Sequence, residues 1–384
     1  MKILYDHQIF GIQHYGGISR YFCELMDQYS RDPEINFRLA LRYSQNDHLY
    51  QQPQLNQFWT QRNNFFSNSL FFARLQRKLK INALNHIFNN QQESVRQLKA
   101  QDFDVFHPTY YDPYFLNHLG EKPFVIDIHD MMQEIIPEYF PHNDPTHARK
   151  MHLIQRADAI IAVSELTKRD ILKYVDFDLD PDRIHVIYRG NSFEGSGGEE
   201  MIPIALPSSY LLFVGNRSIY KNFPFFITSM APLLKKYPEL HICCTGGGQF
   251  TPDEWKLMKE IDVPLQRVHY IPLWTDGTIK YLYRNALAFV FPSLYEGFGL
   301  PVLEAFSCGC PVIASNNSSL PEVGEDAAVY FDPRDAFSFQ EATERMIADT
   351  TLRNSCIQKG TERLKIFSWA DSAEKTKRVY EQVM

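Results

Sequence analysis

Two doubly wound α/β domains are predicted by three features of the sequence. The chain has 384 residues, more than a single hydrophobic core usually supports. Short apolar runs alternate with amphipathic segments from end to end, the βαβ pattern of parallel sheets covered by helices on both faces. That alternation breaks once, near the middle, and then restarts.

In the first half the strand candidates are residues 2–5, 37–41, 105–107, 124–128, 159–163 and 184–187, most of them ending in a polar or glycine-containing turn. Ser164, directly after the run 159–163, is a good N-cap for a helix reaching Lys173. Residues 190–207, GNSFEGSGGEEMIPIALP, are rich in Gly, Ser and Pro and have no period. The pattern resumes with runs at 210–214, 240–245, 268–271, 286–291, 311–315 and 328–331. The expected division is therefore residues 1–190 for the first domain, 191–207 for a linker and 208–369 for the second domain. A last helix, 370–384, is introduced by Phe367-Ser-Trp369.

Composition narrows the function classes. Hydrophobic residues at 44% and charged residues at 22% are ordinary globular proportions. A net charge of −7 gives no general attraction for nucleic acid, so none is expected as a partner and any anion site must be local. No apolar stretch approaches the roughly 20 residues needed to span a bilayer. The opening MKILYDHQIF reads as a strand rather than a secretion leader. Six scattered cysteines, including Cys243-Cys244 and Cys308-Gly-Cys310, fit neither a zinc spacing nor a disulfide framework, which points to reduced thiols and a cytoplasmic location. Residues 64–90 interleave Phe65, Phe66, Phe71 and Phe72 with Arg74, Arg77, Lys78 and Lys80. Such a basic amphipathic segment covers a sheet or lies on an anionic membrane face, so a peripheral membrane contact stays open.

The residues that carry chemistry cluster at strand-to-helix turns. After the run 286–291 comes SLYEGFGLPVLEAFSCGCPVI, a glycine loop leading into a helix. Gly297 and Gly299 permit a tight backbone path, and Pro301 suits a first helical turn, where its missing N–H loses no partner. Free amides and the dipole at that turn favour an anion such as a nucleotide diphosphate. Seven residues separate Glu296 from Glu304, so one carboxylate precedes the helix and the other sits one turn inside it. A second such turn, LLFVGNRSIYKN, places Arg217 and Lys221 after Gly215, two cations able to neutralise two phosphates. Near the N-terminus, HYGGISR sets Gly16 and Gly17 ahead of a helix, where backbone can approach phosphate closely. The run 124–128 ends in His129, at the sheet edge where open α/β folds place ligands. Asp176-Phe-Asp178-Leu-Asp180 looks like a metal motif but precedes Pro181 in a loop, and no metal or other cofactor is expected.

The Glu296-to-Glu304 stretch resembles the E-x7-E signature of retaining glycosyltransferases of family 4, which have the GT-B fold, two such domains facing across a cleft. The resemblance implies a hexosyltransferase that needs no metal, with the acceptor on the first domain and a nucleotide-diphosphate sugar on the second. By that resemblance Glu296 lies against the transferred sugar and Glu304 holds the ribose hydroxyls. The backbone of Gly297, Phe298, Gly299 and Leu300 faces sugar and phosphate. Arg217 and Lys221 beside Gly215 clamp the diphosphate, Gly16 and Gly17 approach it, and His129 touches the donor sugar. Glu296, His129, Lys221 and Arg217 are thus the catalytic candidates. His107, Tyr110 and Tyr111, in FHPTYYD, are acceptor candidates because aromatic faces suit sugar rings. The resemblance also implies that the last helix returns to the first domain. GDP-mannose is the first choice of donor and a UDP-sugar the second. The acceptor is a glycan or a lipid-linked saccharide of surface polysaccharide or lipopolysaccharide synthesis. A non-catalytic nucleotide-sugar sensor on the same fold is the alternative. A nicotinamide oxidoreductase is disfavoured by the lack of a placed G-x-G-x-x-G with a following acidic residue.

Overall fold

The computed structural model describes residues 1–58, 81–191, 193, 205–217, 219–272 and 275–384. Most of the expected linker, residues 192 and 194–204, lies outside the described residues, as do residues 64–80 of the basic aromatic segment; 81–90 belong to a helix, Ile81–Ala100.

Among the described residues six strands build the first half: β1 (Lys2–Tyr5), β2 (Asn36–Leu39), β3 (Val105–His107), β4 (Val125–Ile128), β5 (Ala159–Ala162) and β6 (Ile184–Val186). They pair as β2-β1-β3 and β4-β5-β6, and a parallel bridge between Phe106 and Phe124 joins the two sets edge to edge. The second half has β7 (Tyr210–Val214), β8 (His241–Thr245), β9 (Val268–Tyr270), β10 (Ala288–Phe291), β11 (Val312–Ser315) and β12 (Ala328–Phe331), in the order β12-β11-β10-β7-β8-β9. Every pairing among these strands is parallel. Each strand falls within two residues of its expected run. These are two Rossmann-like sheets, and in each the chain reverses its direction of growth once, between β1 and β3 and between β7 and β10.

Burial explains why the strands read as unbroken apolar runs. All four residues of β4, β5, β10 and β11 are buried, because helices cover both faces; the exceptions to their apolar character are Asp127 of β4, which is ion-paired with Arg189, and Ser315 at the end of β11. Side chains still alternate between layers: Tyr210 and Leu212 of β7 enter one core, and Leu211 and Phe213 the other. The edge strand β2 alternates exposed and buried residues.

The last helix, Trp369–Val383, follows the second half in sequence and packs on the first, with Ala373, Val379 and Tyr380 in the core that contains Tyr5 and Phe22. Its crossing beneath the end of the first half is tight: a Cβ on Gly190 would stand 2.4 Å from the Trp369 nitrogen.

Candidate functional site

In open parallel sheets the loops at a reversal point splay apart and leave a crevice at the carboxyl ends of the strands. Here the turns after β1, β4, β7 and β10 open into one cavity of about 950 Å³ between the halves.

The loop after β10 is held from several sides. Gly299 has φ +118°, a conformation that disfavours any side chain, and it opens the helix Leu300–Ser307, whose first turn carries Pro301 and no side-chain cap. Ser319 Oγ lies 2.8 Å from the Glu296 carbonyl and 2.7 Å from that of Phe298. Gly297 is pressed against the first half: a Cβ there would stand 1.7 Å from the His129 carbonyl oxygen, and the Gly297 carbonyl accepts from Ser164 Oγ at 2.7 Å. Ser164 also caps the helix Glu165–Tyr174, accepting from the Thr167 N–H. Gly297, held between His129 and Ser164, is thus one of the points that set the approach of the two walls.

Lys221 Nζ donates to Glu296 Oε1 at 2.5 Å, with both side chains largely buried. The loops that carry them are tied by the Leu294 N–H donating to the Tyr220 carbonyl at 2.8 Å. Burial disfavours the ammonium, but the Glu296 carboxylate outweighs it, and Lys221 ends above the usual lysine range. Glu304 lies deeper. Burial raises its pKa, Arg20 Nη1 stands 3.6 Å from one oxygen, and Tyr283 donates to the other at 3.4 Å. Arg20 comes from the helix Gly17–Tyr29 of the first half and also pairs with Asp276 of the second, which accepts from Tyr15 at 3.2 Å.

His129 lines the cavity, and Arg189 donates toward its Nδ1 at 3.4 Å, so the ring proton sits on Nε2. Burial and then Arg189 push the ring down to about 3, leaving it neutral. Arg189 is itself anchored 2.9 Å from Asp127, a buried carboxylate that Arg189 and His107 hold well below the usual range despite burial. Gly16 and Gly17 also line the cavity. A Cβ on Gly16 would strike the Gln13 side chain at 2.5 Å, and one on Gly17 would meet Leu300 of the other half at 3.4 Å.

Of the expected site residues, Gly16, Gly17, His129, Gly215, Lys221, Glu296, Gly297, Phe298, Gly299, Leu300 and Glu304 converge on this cavity. Arg217 does not. Its Nε donates to Glu254 at 2.7 Å, and its two terminal nitrogens donate to the carbonyls of Gly246, Gly248 and Gln249 at 2.9 to 3.0 Å. Its side chain is only 3% exposed. With its donors engaged, Arg217 braces the glycine turn after β8 instead of facing a phosphate. His107 is also corrected. It ends a central strand under the last helix and is fully buried, its Nε2 2.8 Å from Asp127 and its Nδ1 2.6 Å from the Tyr380 hydroxyl. Tyr111 is buried and accepts the His129 N–H, Tyr110 packs on it at 4.6 Å, and neither lines the cavity. The first-half wall is formed instead by Tyr15 and the short helix Asp47–Gln51, with Asp47, His48, Tyr50 and Gln51.

Sequence reasoning also missed Arg20, Asp276, Asp127 and Arg189. Only Arg20 carried a usable signal, standing in the same glycine turn as Gly17. Asp176, Asp178 and Asp180 are exposed, and Asp180 caps its own turn by accepting from the Asp182 N–H. Among the described residues no group of three or more His, Cys, Asp or Glu is placed to hold a metal ion, and no helix is long and apolar enough to cross a membrane.

Comparison with known proteins gives two family matches: "Glycosyltransferase Family 4" over residues 15–192 and "Glycosyl transferases group 1" over residues 201–363. The O-antigen chain mannosyltransferase B of Escherichia coli is 27% identical over 289 residues, covering 73% of this chain and 74% of that protein. The serotype-specific mannosyltransferase WbdA of E. coli is 27% identical over 268 residues, 64% of this chain but 32% of that protein, so the match spans about a third of WbdA. Among solved structures, sucrose-phosphate synthase from Thermosynechococcus elongatus superposes with a TM-score of 0.71 at 17% identity, over 99% of this chain and 98% of that one. HepE from Anabaena, in complex with UDP and glucose, superposes with a TM-score of 0.69 at 16% identity, over 100% and 99%.

Proposed function

The chain belongs to glycosyltransferase family 4 and has the GT-B fold, and on that premise we propose that it moves a mannosyl group from GDP-mannose to a glycan or lipid-linked acceptor in surface polysaccharide assembly. Mannose is chosen because the O-antigen mannosyltransferase and WbdA are relatives over much of the chain. The observation that carries the reading is the Lys221–Glu296 pair beside the uncapped first turn of the helix Leu300–Ser307, all lining one interdomain cavity.

The chemistry follows from charge. As the bond between the anomeric carbon and phosphate breaks, negative charge grows on the leaving diphosphate and positive character on the carbon. Lys221 and the positive end of the helix Leu300–Ser307, with the Leu300 amide at its head, oppose the first change. Glu296 tempers the second, and neutral His129 donates a hydrogen bond to the sugar. The acceptor oxygen bonds to the carbon on the face the phosphate leaves, and its proton passes to the departing phosphate oxygen, so configuration is retained. One fixed donor of this kind lowers such a barrier by roughly 3 to 4 kcal/mol, enough for Lys221 and the helix end to do without a metal ion.

A thermal-shift series with GDP- and UDP-sugars tests the donor, since a ligand at 100 times its dissociation constant raises stability by about 2.7 kcal/mol. GDP-mannose is expected to give the largest shift. Lys221→Met and Glu296→Gln are each expected to reduce mannosyl transfer about 10²-fold or more with the fold intact by circular dichroism. Full turnover in both variants, or loss of parental activity in EDTA, defeats the proposal.

A further inference from the structure

The turn after β1 and the helix Asp47–Gln51 form one stitched unit on the first-half wall of the cleft. Asn46 Nδ2 donates to the Gln13 carbonyl at 2.8 Å, the Asp47 N–H donates to the His14 carbonyl at 2.8 Å, and the His48 ring lies on Tyr15 with centroids 4.5 Å apart. Two tyrosines of this unit stay open within the cavity lining, Tyr15 at 41% and Tyr50 at 58% exposure. Tyrosines such as Tyr5, Tyr210 and Tyr380 are buried in a core; the Tyr50 side chain is tethered at its tip, its hydroxyl donating to the Ser44 carbonyl at 2.9 Å. Its ring is therefore fixed in place yet bare. Asp47 lines the same cavity, and among the described residues its carboxylate accepts no hydrogen bond.

A fixed aromatic face beside an unengaged carboxylate matches the two surfaces of a sugar ring: apolar C–H bonds on one side, hydroxyl donors around the edge. We infer that the wall formed by Tyr15, Asp47 and Tyr50 is the acceptor subsite and that it receives a neutral sugar ring, the terminal residue of a glycan. The inference rests on the glycosyltransferase reading and names the acceptor class for it. Charge decides against an anionic head group at this position. The two arginines that line the first-half wall are already paired, Arg20 with Asp276 and Glu304, Arg189 with Asp127. A phosphate placed here would meet Asp47, and among the described residues every lysine and arginine lining the cavity, Arg20, Arg189 and Lys221, already has a carboxylate partner, whereas a hydroxyl donates to the Asp47 carboxylate. A lipid carrier's phosphate thus stays away from this wall, and the sugar at its far end is what enters.

Saturation-transfer NMR and calorimetry on the purified protein, using a mannose trisaccharide and, separately, a sugar-free polyprenyl phosphate in detergent, test the subsite without requiring turnover. The trisaccharide is expected to bind the parent protein. Tyr50→Ala and Asp47→Ala are expected to weaken that binding at least tenfold, while Tyr50→Phe, which loses only the tether to Ser44, keeps most of it. In turnover assays the first two variants should raise the acceptor KM by a similar factor with the donor KM within about twofold. A role confined to packing would lower the thermal midpoint and leave the trisaccharide affinity alone. Equal trisaccharide binding by parent and Tyr50→Ala, or binding of the polyprenyl phosphate in preference to the trisaccharide, overturns the inference. Failure of nucleotide sugars to bind the parent overturns the proposed function instead, so the two are read from separate titrations.

Discussion

Burial has decided the charge of two histidines that line the cleft, and the consequences are measurable at single residues. His129 is pushed down to about 3 by burial and Arg189, and His48 to about 4 by burial and Arg20. Both are neutral in the folded protein near pH 7, whereas an unfolded histidine takes a proton near pH 6.5. The unfolded state thus binds more protons as pH falls below that value, so stability is fully present above it and is lost toward the folded pKa. Between pH 7 and 5 each ring accounts for up to about 2 kcal/mol of that loss. Urea titrations at the two pH values should show His48→Gln and His129→Gln each flattening the fall; parallel curves for parent and variants would mean that neither ring is desolvated. Arg217 shows what a sequence cannot reveal at this scale. Gly215-Asn-Arg217 and Lys221 both read as cations at a phosphate turn, but a guanidinium reaches four acceptors at once, and the backbone of the adjacent turn supplied three of them. Lys221 meets the Glu296 carboxylate instead and lines the cleft.

Elements were more legible than side chains, for a reason visible in their burial. A strand covered on both faces is mostly apolar, so β4, β5, β10 and β11 stood out as runs such as AIIA and AFVF; the one charge inside them, Asp127 of β4, is buried with Arg189 and His107 as partners. The glycine loop after β10 was legible because Gly299 needs a positive φ and Pro301 needs a first turn. The helix Asp47–Gln51 was not legible, since five residues show no period and its work depends on contacts with Gln13, His14 and Tyr15 more than 30 positions away. His107 was misplaced for the converse reason: its neighbour Tyr380 lies at the other end of the chain. Gly297 gives the sharpest prediction at this scale. Its φ does not require glycine, but the His129 carbonyl stands 1.7 Å from where a Cβ would lie. Gly297→Ala must separate the two walls or displace the loop that carries Glu296. Transfer should fall at least tenfold, while Gly248→Ala, with open space around its Cβ but φ +77°, disturbs only its own turn. A Gly297→Ala enzyme with parental kcat and donor affinity would show that the contact is not part of the working state.

At the scale of the whole molecule, the halves are joined by more than the cleft. The helix Trp369–Val383 leaves the second half after Phe367, whose carbonyl accepts from the Asn191 N–H at 3.2 Å, and then covers the core of the first. Tyr380 is the center of that contact: its hydroxyl lies 3.0 Å from that of Tyr5 and 2.6 Å from His107 Nδ1, and its ring is fully buried. Tyr29 adds a hydrogen bond to the Ala373 carbonyl at 2.9 Å, and Lys377 reaches Asp32 and Glu34. Removing one large buried ring from such a site costs about 3 to 5 kcal/mol, and here it also strands two polar groups in the core. The loss falls on the first half alone, because the second half keeps both of its cores. Tyr380→Ala is therefore expected to split calorimetric unfolding into two transitions, the lower one assigned to the first half by loss of trisaccharide protection, with the upper one still raised by nucleotide sugar. A chain ending at residue 368 should show the same split in stronger form. One transition at the parental temperature in both proteins would mean that this helix is an ornament on the first half and that the cleft is held together by its own contacts.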